Sequence, residues 1–351
     1  MKTGESVFIV PIIIFTDKTH VDEAGNFTLD PVMFTLAIFK RHVRERKDAW
    51  RVLGIKQPDH FTSAETTKAQ RLGIRPVNIQ EQWDAITASF ISCQTSKKLH
   101  NIKLTIGKET RQCIIKCPLM FVSCDMQEAD KICGKSSYYH ADAKRCSRLC
   151  QCPGDQASNT DFKCKFHIMT EMELFISESS KVDVENIMMK KVKNAFHQVD
   201  FGDNPHGIYS ACTPDEMHCI EEGLIKHVTA LVLKYYLTAS HRMHLDKNAK
   251  KLHQYFRQCS KVNFPRCSFP NGVSDLSNMK AHEHVGLLFL LIIIFSLDES
   301  QSYFNDIWDS NELFSRALNL FEMILCFHAS MNLDVLWARD DFCLLYTSDA
   351  A

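Results

Sequence analysis

Residues 7–16 (VFIVPIIIFT) and 119–124 (LMFVSC) decide the fold of this chain. Both stretches are rich in β-branched and aromatic residues and carry no charge, which is typical of strands buried on both faces of a sheet. Each is followed directly by an aspartate, Asp17 or Asp125. Carboxylates on adjacent strands can share divalent metal ions, so the pair is a candidate metal site. An aspartate after a strand is more often a turn or cap residue, and this structural alternative stays open.

The surrounding sequence predicts a sheet that is covered by one long helix. Further strand-like stretches, joined by short turns, are residues 31–38, 50–55, 102–106 and 112–116. The first two follow residues 7–16 closely enough to form a three-stranded meander. Apolar residues at helical spacing predict an amphipathic helix over residues 79–99, which would cover one face of the sheet. The pattern therefore predicts an α/β fold.

The chain becomes Cys-rich and turn-rich at about residue 128 and helical thereafter. The predicted helices cover residues 171–196, 214–237, 246–259 and 305–327, and a further helix carries Glu283. Residues 213–216 (TPDE) are a favourable helix start, since Thr can cap, Pro tolerates the first position and Glu completes a capping box. The apolar run 285–297 is shorter than the roughly 20 residues of a membrane span. We therefore expect a buried core helix there and no membrane contact.

Composition places the chain among ordinary globular proteins. It has 351 residues, of which 45% are hydrophobic and 24% charged, and this excludes disordered, collagen-like and coiled-coil classes. The formal net charge of -1 excludes the overall basic character of a small nucleic-acid binder, so any DNA contact must be local. The 15 cysteines come without a secretory signal pattern, which indicates a reducing compartment where thiols stay free or bind metal.

Three stretches together resemble a known group of transposases. They are residues 8–19 (FIVPIIIFTDKT), 121–133 (FVSCDMQEADKIC) and 214–228 (PDEMHCIEEGLIKHV). These are similar to the catalytic core of eukaryotic transposases of the Plavaka type and of the related Kyakuja-Dileera-Zisupton group, relatives of the CACTA elements. The resemblance implies an RNase H-like fold, a mixed sheet with helices interrupted by a Cys-rich and mostly α-helical insertion, that carries a DDE triad. By resemblance, Asp17 is the first acid of the triad and Asp125 the second.

The resemblance also points to a third acid and to two supporting residues. Residues 272–295 resemble the family segment in which an acidic residue opens a helix against the sheet, and Glu283 occupies that place. A solvent-facing Glu283 is the structural alternative. The competing acids are Glu216, Glu221 and Glu222. Asp215 and His218 match a D-x-x-H pair that supports the active site, or they are a first-turn charge and a half-buried helix residue. The triad is expected to hold two Mg²⁺ or Mn²⁺ ions.

A second group of metal-ligating residues lies in the Cys-rich stretch. Its members are Cys146, Cys150, Cys152, Cys164 and His167. Zinc takes four Cys or His ligands, and these spacings can supply them, although they are not those of a standard zinc finger. Cys146 and Cys150 could instead pair with His218, and Cys133 or His140 could replace any member. Reduced structural thiols without metal are the remaining alternative.

Basic residues concentrate in three stretches that could contact DNA, residues 40–47, 190–193 and 241–251. Lys and Arg bind phosphates with an affinity that does not depend on base sequence, but each stretch is also compatible with a solvated surface. The candidate DNA contacts are Arg41, Arg44, Lys190, Lys191, Lys193, Lys250 and Lys251.

The resemblance predicts the catalytic core of a DDE transposase, which cleaves DNA and transfers strands at transposon ends in the nucleus. DNA is the expected partner, and homo-oligomers remain open. One alternative is an inactive remnant that binds DNA and is stabilised by zinc. Another is an RNase H-like nuclease that does not join strands.

The expected organisation has five segments. They are residues 7–127 as the first part of the core, 128–170 as the Cys-rich zinc segment, 171–272 as the helical insertion, 273–342 as the helices that complete the core, and 343–351 as a non-native tail. The tail is expected because its LLYTSDAA sequence resembles a translated sequencing adapter. We accordingly expect the chain to be a fragment.

Overall fold

The computed structural model describes residues 6–20, 28–57, 68–96, 102–136, 143–145, 147–159, 161–214, 217–256, 269, 272–273, 279–297, 303–304, 307 and 312–331. The chain divides into two compact units, Met1–Pro214 and Asp215–Ala351. This division falls inside the range 171–272 that we predicted as one helical insertion. The predicted non-native tail, residues 343–351, lies outside the described residues.

The first unit is built on two mixed β-sheets, counted over the described residues. Its strands are β1 (Ser6–Ile9), β2 (Ile12–Thr16), β3 (Thr19–His20), β4 (Thr28–Leu36), β5 (Arg51–Lys56), β6 (Ile102–Ile106), β7 (Glu109–Lys116) and β8 (Leu119–Ser123). In the smaller sheet, β7 pairs in parallel with β1 and antiparallel with β6. In the larger sheet, β2 lies between its antiparallel partner β4 and its parallel partner β8, and β4 also pairs with β3 and β5. The predicted α/β class and the meander of β2, β4 and β5 are confirmed.

Residues 7–16 form two strands, so the prediction of a single strand was wrong. Pro11 has no backbone N–H to donate to a neighbouring strand, and the chain passes from the smaller to the larger sheet at this point. The partner strands change at the matching place, since the Ile12 N–H donates to the carbonyl of Pro118 at 2.9 Å. The side chains of Val7 and Ile9 are exposed, so the predicted burial on both faces was also wrong for this half.

A long helix covers the larger sheet, as predicted. The helices of the first unit are α1 (Arg41–Arg44), α2 (Lys68–Thr95), α3 (Met126–Ile132), α4 (Met169–Glu178), α5 (Lys181–Asn186) and α6 (Ile208–Ala211). α2 lies so close to β5 that a Cβ atom on Gly54 would be 2.8 Å from the Ile86 side chain, which explains the glycine. Trp83 of α2 packs against Phe196, with ring centroids 5.1 Å apart and both side chains fully buried. Burial of each large aromatic side chain stabilises the fold by roughly 2 kcal/mol.

The single helix predicted over residues 171–196 was wrong, because caps divide this stretch. α4 ends before Ser180, whose hydroxyl accepts a hydrogen bond from the Asp183 N–H at 3.2 Å and so starts α5. Asn194 caps a short 3-10 helix, Ala195–Gln198, through the Phe196 N–H at 2.9 Å. Ser and Asn side chains compete in this way with a continuous helical hydrogen-bond pattern.

A buried ion group holds the Cys-rich stretch against α3. Asp130 of α3 lies 3.2 Å from the Lys135 ammonium and 3.6 Å from the Arg148 guanidinium. Arg148 also donates two hydrogen bonds, at 3.0 and 2.9 Å, to the carbonyl of Cys212. Because all three charged side chains are buried, each compensates the desolvation of the others. The segment around Arg148 is thereby held against the helix that follows Asp125.

The second unit is helical throughout its described elements. They are π-helical turns at Met217–Ile225 and Val232–Tyr236, and the helices α7 (Lys226–Leu231), α8 (Ala239–Phe256), α9 (Ala281–Ser296) and α10 (Glu312–Met331). α9 contacts α7, α8 and α10 and is buried along most of its length, which confirms the predicted core helix. The other helices predicted beyond residue 214 are confirmed with shifted ends. Across the part of the chain that the structure describes, no helix combines the length and the apolar character needed to cross a membrane.

Candidate active site

Asp17 and Asp125 follow two neighbouring strands of the larger sheet. β2 and β8 run parallel, with Phe15 opposite Ser123, which confirms the prediction that these strands are neighbours. Each aspartate comes shortly after this pair, so both lie at the same edge of the sheet, where the carboxyl ends of parallel strands carry ligand sites in many α/β proteins. Asp17 is exposed and Asp125 is half-buried.

Asp125 is also the N-cap of α3. Its Oδ1 atom accepts a hydrogen bond from the Glu128 N–H at 2.6 Å, and its backbone is extended, as an N-cap requires. Asp125 therefore has the cap role that the sequence analysis gave as the alternative to metal binding. A cap uses one lone pair of one oxygen, so the carboxylate keeps further capacity for a cation. The cap also fixes the orientation of the side chain.

Next to Asp125 lies a buried ion cluster that the sequence did not reveal. The ammonium of Lys56, which is 6% exposed, lies 2.9 Å from Asp30 and within hydrogen-bonding distance of Glu128. Asp30 accepts a second hydrogen bond from the Thr16 hydroxyl at 3.0 Å. We call Asp30, Lys56 and Glu128 the Lys56 cluster. The one available signal was the register of the meander, which sets Asp30 opposite Lys56.

The negative charges of the Lys56 cluster are balanced by nearby cations of the first unit. Burial raises the pKa of Glu128, but the cations Lys56 and Lys131 outweigh it and hold this pKa below its usual value. Lys131 lies 3.1 Å from the second oxygen of Glu128. Lys56 also lies over the Trp83 ring, 5.1 Å from its centroid, and this cation–π contact stabilises the buried ammonium. Glu128 is therefore held as a carboxylate whose charge is already compensated, and Asp30 lies beside the same Lys56 ammonium.

The predicted third acid, Glu283, lies in the second unit at the start of α9. It is half-buried, and its Oε2 atom accepts a hydrogen bond from the Lys280 N–H at 2.8 Å. Glu283 is thus the N3 residue of a capping box whose N-cap is Lys280. Of the competing acids, Glu221 lies 3.3 Å from the His328 imidazole, whereas Glu216 is not described. His218 is exposed, and its predicted partner Asp215 is also outside the described residues.

The cysteines of the predicted zinc site converge on a short antiparallel pair of segments. Cys150 lies opposite Phe166, and flanking backbone hydrogen bonds of 2.9 Å join Gln151 to Lys165 and His167 to Leu149. Burial raises the pKa of the Cys164 thiol to about 11, and its contacts with the thiols of Cys150 and Cys152 act in the same direction. The Cys164 thiol therefore lies near both Cys150 and Cys152. Cys150 is buried, and the other two are half-buried.

The remaining predicted ligands are distributed differently. Cys146 and His140 lie outside the described residues, and Cys133 belongs to another part of the core, where its thiol contacts the Ile208 carbonyl at 3.7 Å. Within the described ranges, no group of three or more His, Cys, Asp or Glu side chains has the arrangement of a metal site. His167 is 2% exposed, and burial, together with Arg145, lowers its pKa to about 4.

The comparison with protein families decides what kind of protein this is. A family model described as Plavaka transposase matches residues 2–232. The chain belongs to the Plavaka transposase family. The matched residues include Asp17, Asp125 and the Cys-rich stretch, whereas Glu283 lies beyond them. No curated protein sequence matches the chain.

Membership of the Plavaka transposase family implies DNA as a partner, and the predicted DNA contacts lie on different elements of the two units. Arg41 is exposed and lies 3.4 Å from Glu45, whereas Arg44 is half-buried and donates to the carbonyl of Ala37. The other basic candidates are Lys190, which is half-buried, and the exposed Lys191, Lys193, Lys250 and Lys251. Lys191 donates to the carbonyl of Ser179. Lys250 and Lys251 lie on α8 in the second unit, so the described candidates do not form one continuous stretch.

Proposed function

We propose that this chain is the catalytic core of a DDE transposase, with Asp17 and Asp125 as its first two acids and Glu283 as the third. The observation that carries the proposal is the parallel register of β2 and β8, which brings two aspartates to one edge of a sheet in a member of a transposase family. The reaction is phosphodiester cleavage followed by strand transfer at transposon ends. Asp215 and His218 are proposed as supporting residues.

The donor set at this edge fits Mg²⁺ or Mn²⁺, which take oxygen ligands. Asp17 and Asp125 supply carboxylate oxygens, since the cap occupies only one lone pair of Asp125. The hydrogen bond from the Glu128 N–H holds the Asp125 side chain in place. Asp30 and Glu128 are compensated by the two cations Lys56 and Lys131, so they do not add uncompensated negative charge to the edge. When bound there, the metal ions would offset the negative charge of the phosphate and lower the pKa of a bound water.

The chemistry requires no covalent intermediate with the protein. In cleavage, a water oxygen forms a bond to phosphorus and the bond between phosphorus and the 3′ oxygen breaks, which leaves a 3′-hydroxyl and a 5′-phosphate. In strand transfer, that 3′ oxygen forms a bond to a target phosphorus while the target's own 3′ oxygen leaves. Asp17 and Asp125 would position the scissile phosphate by holding its counter-ions at one edge of the sheet.

We propose that the larger sheet with α2 is an RNase H-like core. Three features support this assignment: the antiparallel meander of β2, β4 and β5, the covering helix α2, and the return of the chain to β8 in parallel beside β2. The Cys-rich stretch and the helices that follow α3 would then be the insertion that interrupts this core.

For the Cys-rich stretch we propose a zinc site formed by Cys146, Cys150, Cys152 and Cys164. The interactions of the Cys164 thiol with Cys150 and Cys152 support it, and Cys146 supplies the fourth soft ligand by its position in the sequence. Zinc would lower the pKa of these thiols and close the segment that Arg148 fastens to α3. Its role would be structural. We further propose that the protein acts on DNA in the nucleus and can self-associate.

The decisive test is an activity assay with supercoiled plasmid and labelled DNA ends, in Mg²⁺, in Mn²⁺ and in EDTA. Cleavage and joining in either metal, lost in Asp17→Asn and Asp125→Asn but retained in the exposed control Asp84→Asn, would support the transposase. Cleavage without joining would instead support a nuclease. DNA binding without either reaction would identify an inactive remnant.

A further inference from the structure

A cavity of about 340 Å³ lies in the first unit beside the paired segments of the Cys-rich stretch. Its lining includes Arg145, Gln151, His167, Met172, Phe175 and Ile187. One side is apolar and comes from α4 and the residue after α5, whereas the other side is polar and comes from the Cys-rich stretch. Its volume is at the lower end of the range for small-molecule sites, so it suits a small, partly polar ligand.

One polar group in this lining lacks a partner. The side chain of His167 is 2% exposed, and its Nδ1 atom finds no hydrogen-bond partner among the described residues. The ring packs on the fully buried Tyr209, with centroids 5.6 Å apart, which fixes its position. A buried polar atom without a partner is costly, and a ligand that hydrogen-bonds to it removes that cost.

We propose that this cavity receives a single unpaired base of the DNA on which the enzyme acts, and this inference rests on the proposed function. A base is flat, apolar on its faces and polar at its edge. Phe175 and Met172 offer the apolar contact that base faces favour, and the Gln151 amide carries both donors and an acceptor for a base edge. The Nδ1 atom of His167 adds one more hydrogen-bonding position. Enzymes that act on DNA can take a nucleotide out of the stack at moderate cost.

The charges around the cavity favour a base over a free phosphate. Glu171 also lines the cavity and lies 2.6 Å from Lys165, so the single cation Arg145 is accompanied by a compensated carboxylate. A phosphate site would need an excess of positive charge or several converging donors. Exposed lysines flank the lining residues in the sequence, since Lys144 precedes Arg145 and Lys191 and Lys193 follow Ile187, and exposed acids such as Glu173 and Asp183 lie on the same helices. These lysines could contact the backbone of a DNA whose base enters the cavity.

The test is equilibrium DNA binding in EDTA, which separates recognition from catalysis. The full chain is titrated with a fully paired duplex and with the same duplex carrying one bulged nucleotide, each fluorescently labelled. We expect the bulged duplex to bind about tenfold more tightly, as base–aromatic stacking supports. Gln151→Ala and Phe175→Leu should remove this preference while leaving the affinity for paired DNA unchanged. The matched control is Gln198→Ala, an exposed glutamine of the same unit, which should retain the preference.

Equal affinity of the wild-type chain for the two duplexes would overturn the proposal. Retention of the preference for bulged DNA in Gln151→Ala would overturn the proposal as well. If Phe175→Leu has a lowered unfolding midpoint, its binding does not report on the cavity alone, and the result for Gln151→Ala decides. The outcome is distinguishable from that of the proposed function. A preference for bulged DNA without metal-dependent cleavage would support the base site and contradict the proposed transposase activity. Cleavage without that preference would support the transposase activity and contradict the base site.

Discussion

Phe15 on β2 and Ser123 on β8 lie opposite each other in a parallel pair, and an aspartate follows each of them after one intervening residue. This pairing brings the two aspartates, which are distant in the sequence, to one edge of one sheet. It is the structural basis for assigning Asp17 and Asp125 to a common site. The neighbouring Lys56 cluster explains how further carboxylates are tolerated at the same edge.

Asp125 has two roles that substitution can separate. Asp125→Asn should abolish metal-dependent cleavage while keeping the stability of the wild type, because Asn is as good an N-cap as Asp. Asp125→Ala should abolish cleavage and also lower the free energy of unfolding by about 1 kcal/mol, because the cap on the Glu128 N–H is lost. Urea unfolding and the cleavage assay measure the two effects. An active Asp125→Asn variant would restrict this residue to capping.

Lys56 is predicted to be essential for stability because it compensates two carboxylates. Lys56→Met should lower the free energy of unfolding by about 3 kcal/mol, since Asp30 would lose its ammonium partner and Glu128 would keep only the half-buried Lys131. The triple variant with Asp30→Asn and Glu128→Gln should recover most of the loss. Lys103→Met, at an exposed position on β6, is the control and should have no effect. A Lys56→Met protein as stable as the wild type would refute the cluster.

The zinc proposal predicts about one zinc per chain in protein purified without chelator. Cys150→Ser and Cys164→Ser should each lower the zinc content and the unfolding midpoint together, because metal binding and folding are coupled. Cys93→Ser is the control, since this cysteine is exposed on α2. Atomic absorption and thermal unfolding are the measurements. Full zinc content in both variants would exclude these thiols as ligands.

Glu283 should prove catalytic without being needed for the fold. Glu283→Gln keeps an acceptor for the Lys280 N–H, so the unfolding midpoint should be unchanged or slightly raised. Cleavage in Mg²⁺ should fall on the order of 100-fold or more, because a neutral amide is a poor ligand for this cation. Glu222→Gln should change neither property. If cleavage survives in Glu283→Gln, the third role belongs to another acid.

Patterns within a strand or helix were predictable from the sequence, whereas features that depend on distant partners were not. The strand character of the stretches that precede Asp17 and Asp125, and the buried helix α9, follow from apolar composition and periodicity. The break at Pro11 had a visible local cause, the missing N–H, but the change of sheet depends on partner strands.

The interruption of the helix predicted over residues 171–196 had weaker local signals. Apolar periodicity does not distinguish Ser180 and Asn194 from residues inside a helix. They act as caps because the chain turns against the core there. The Lys56 cluster lay beyond sequence reasoning for a different reason. Its members come from two strands and a helix, and only the folded register brings them together.

The most direct test of the shared acidic site is Mn²⁺ binding to the full chain, followed by electron paramagnetic resonance. Asp17→Asn and Asp125→Asn should each weaken Mn²⁺ binding by about tenfold or more, because each removes a charged oxygen ligand from the same site. Asp84→Asn, an exposed carboxylate on α2, should leave binding unchanged. The same affinity in the wild type and in all three variants would contradict the assignment of Asp17 and Asp125 as joint metal ligands.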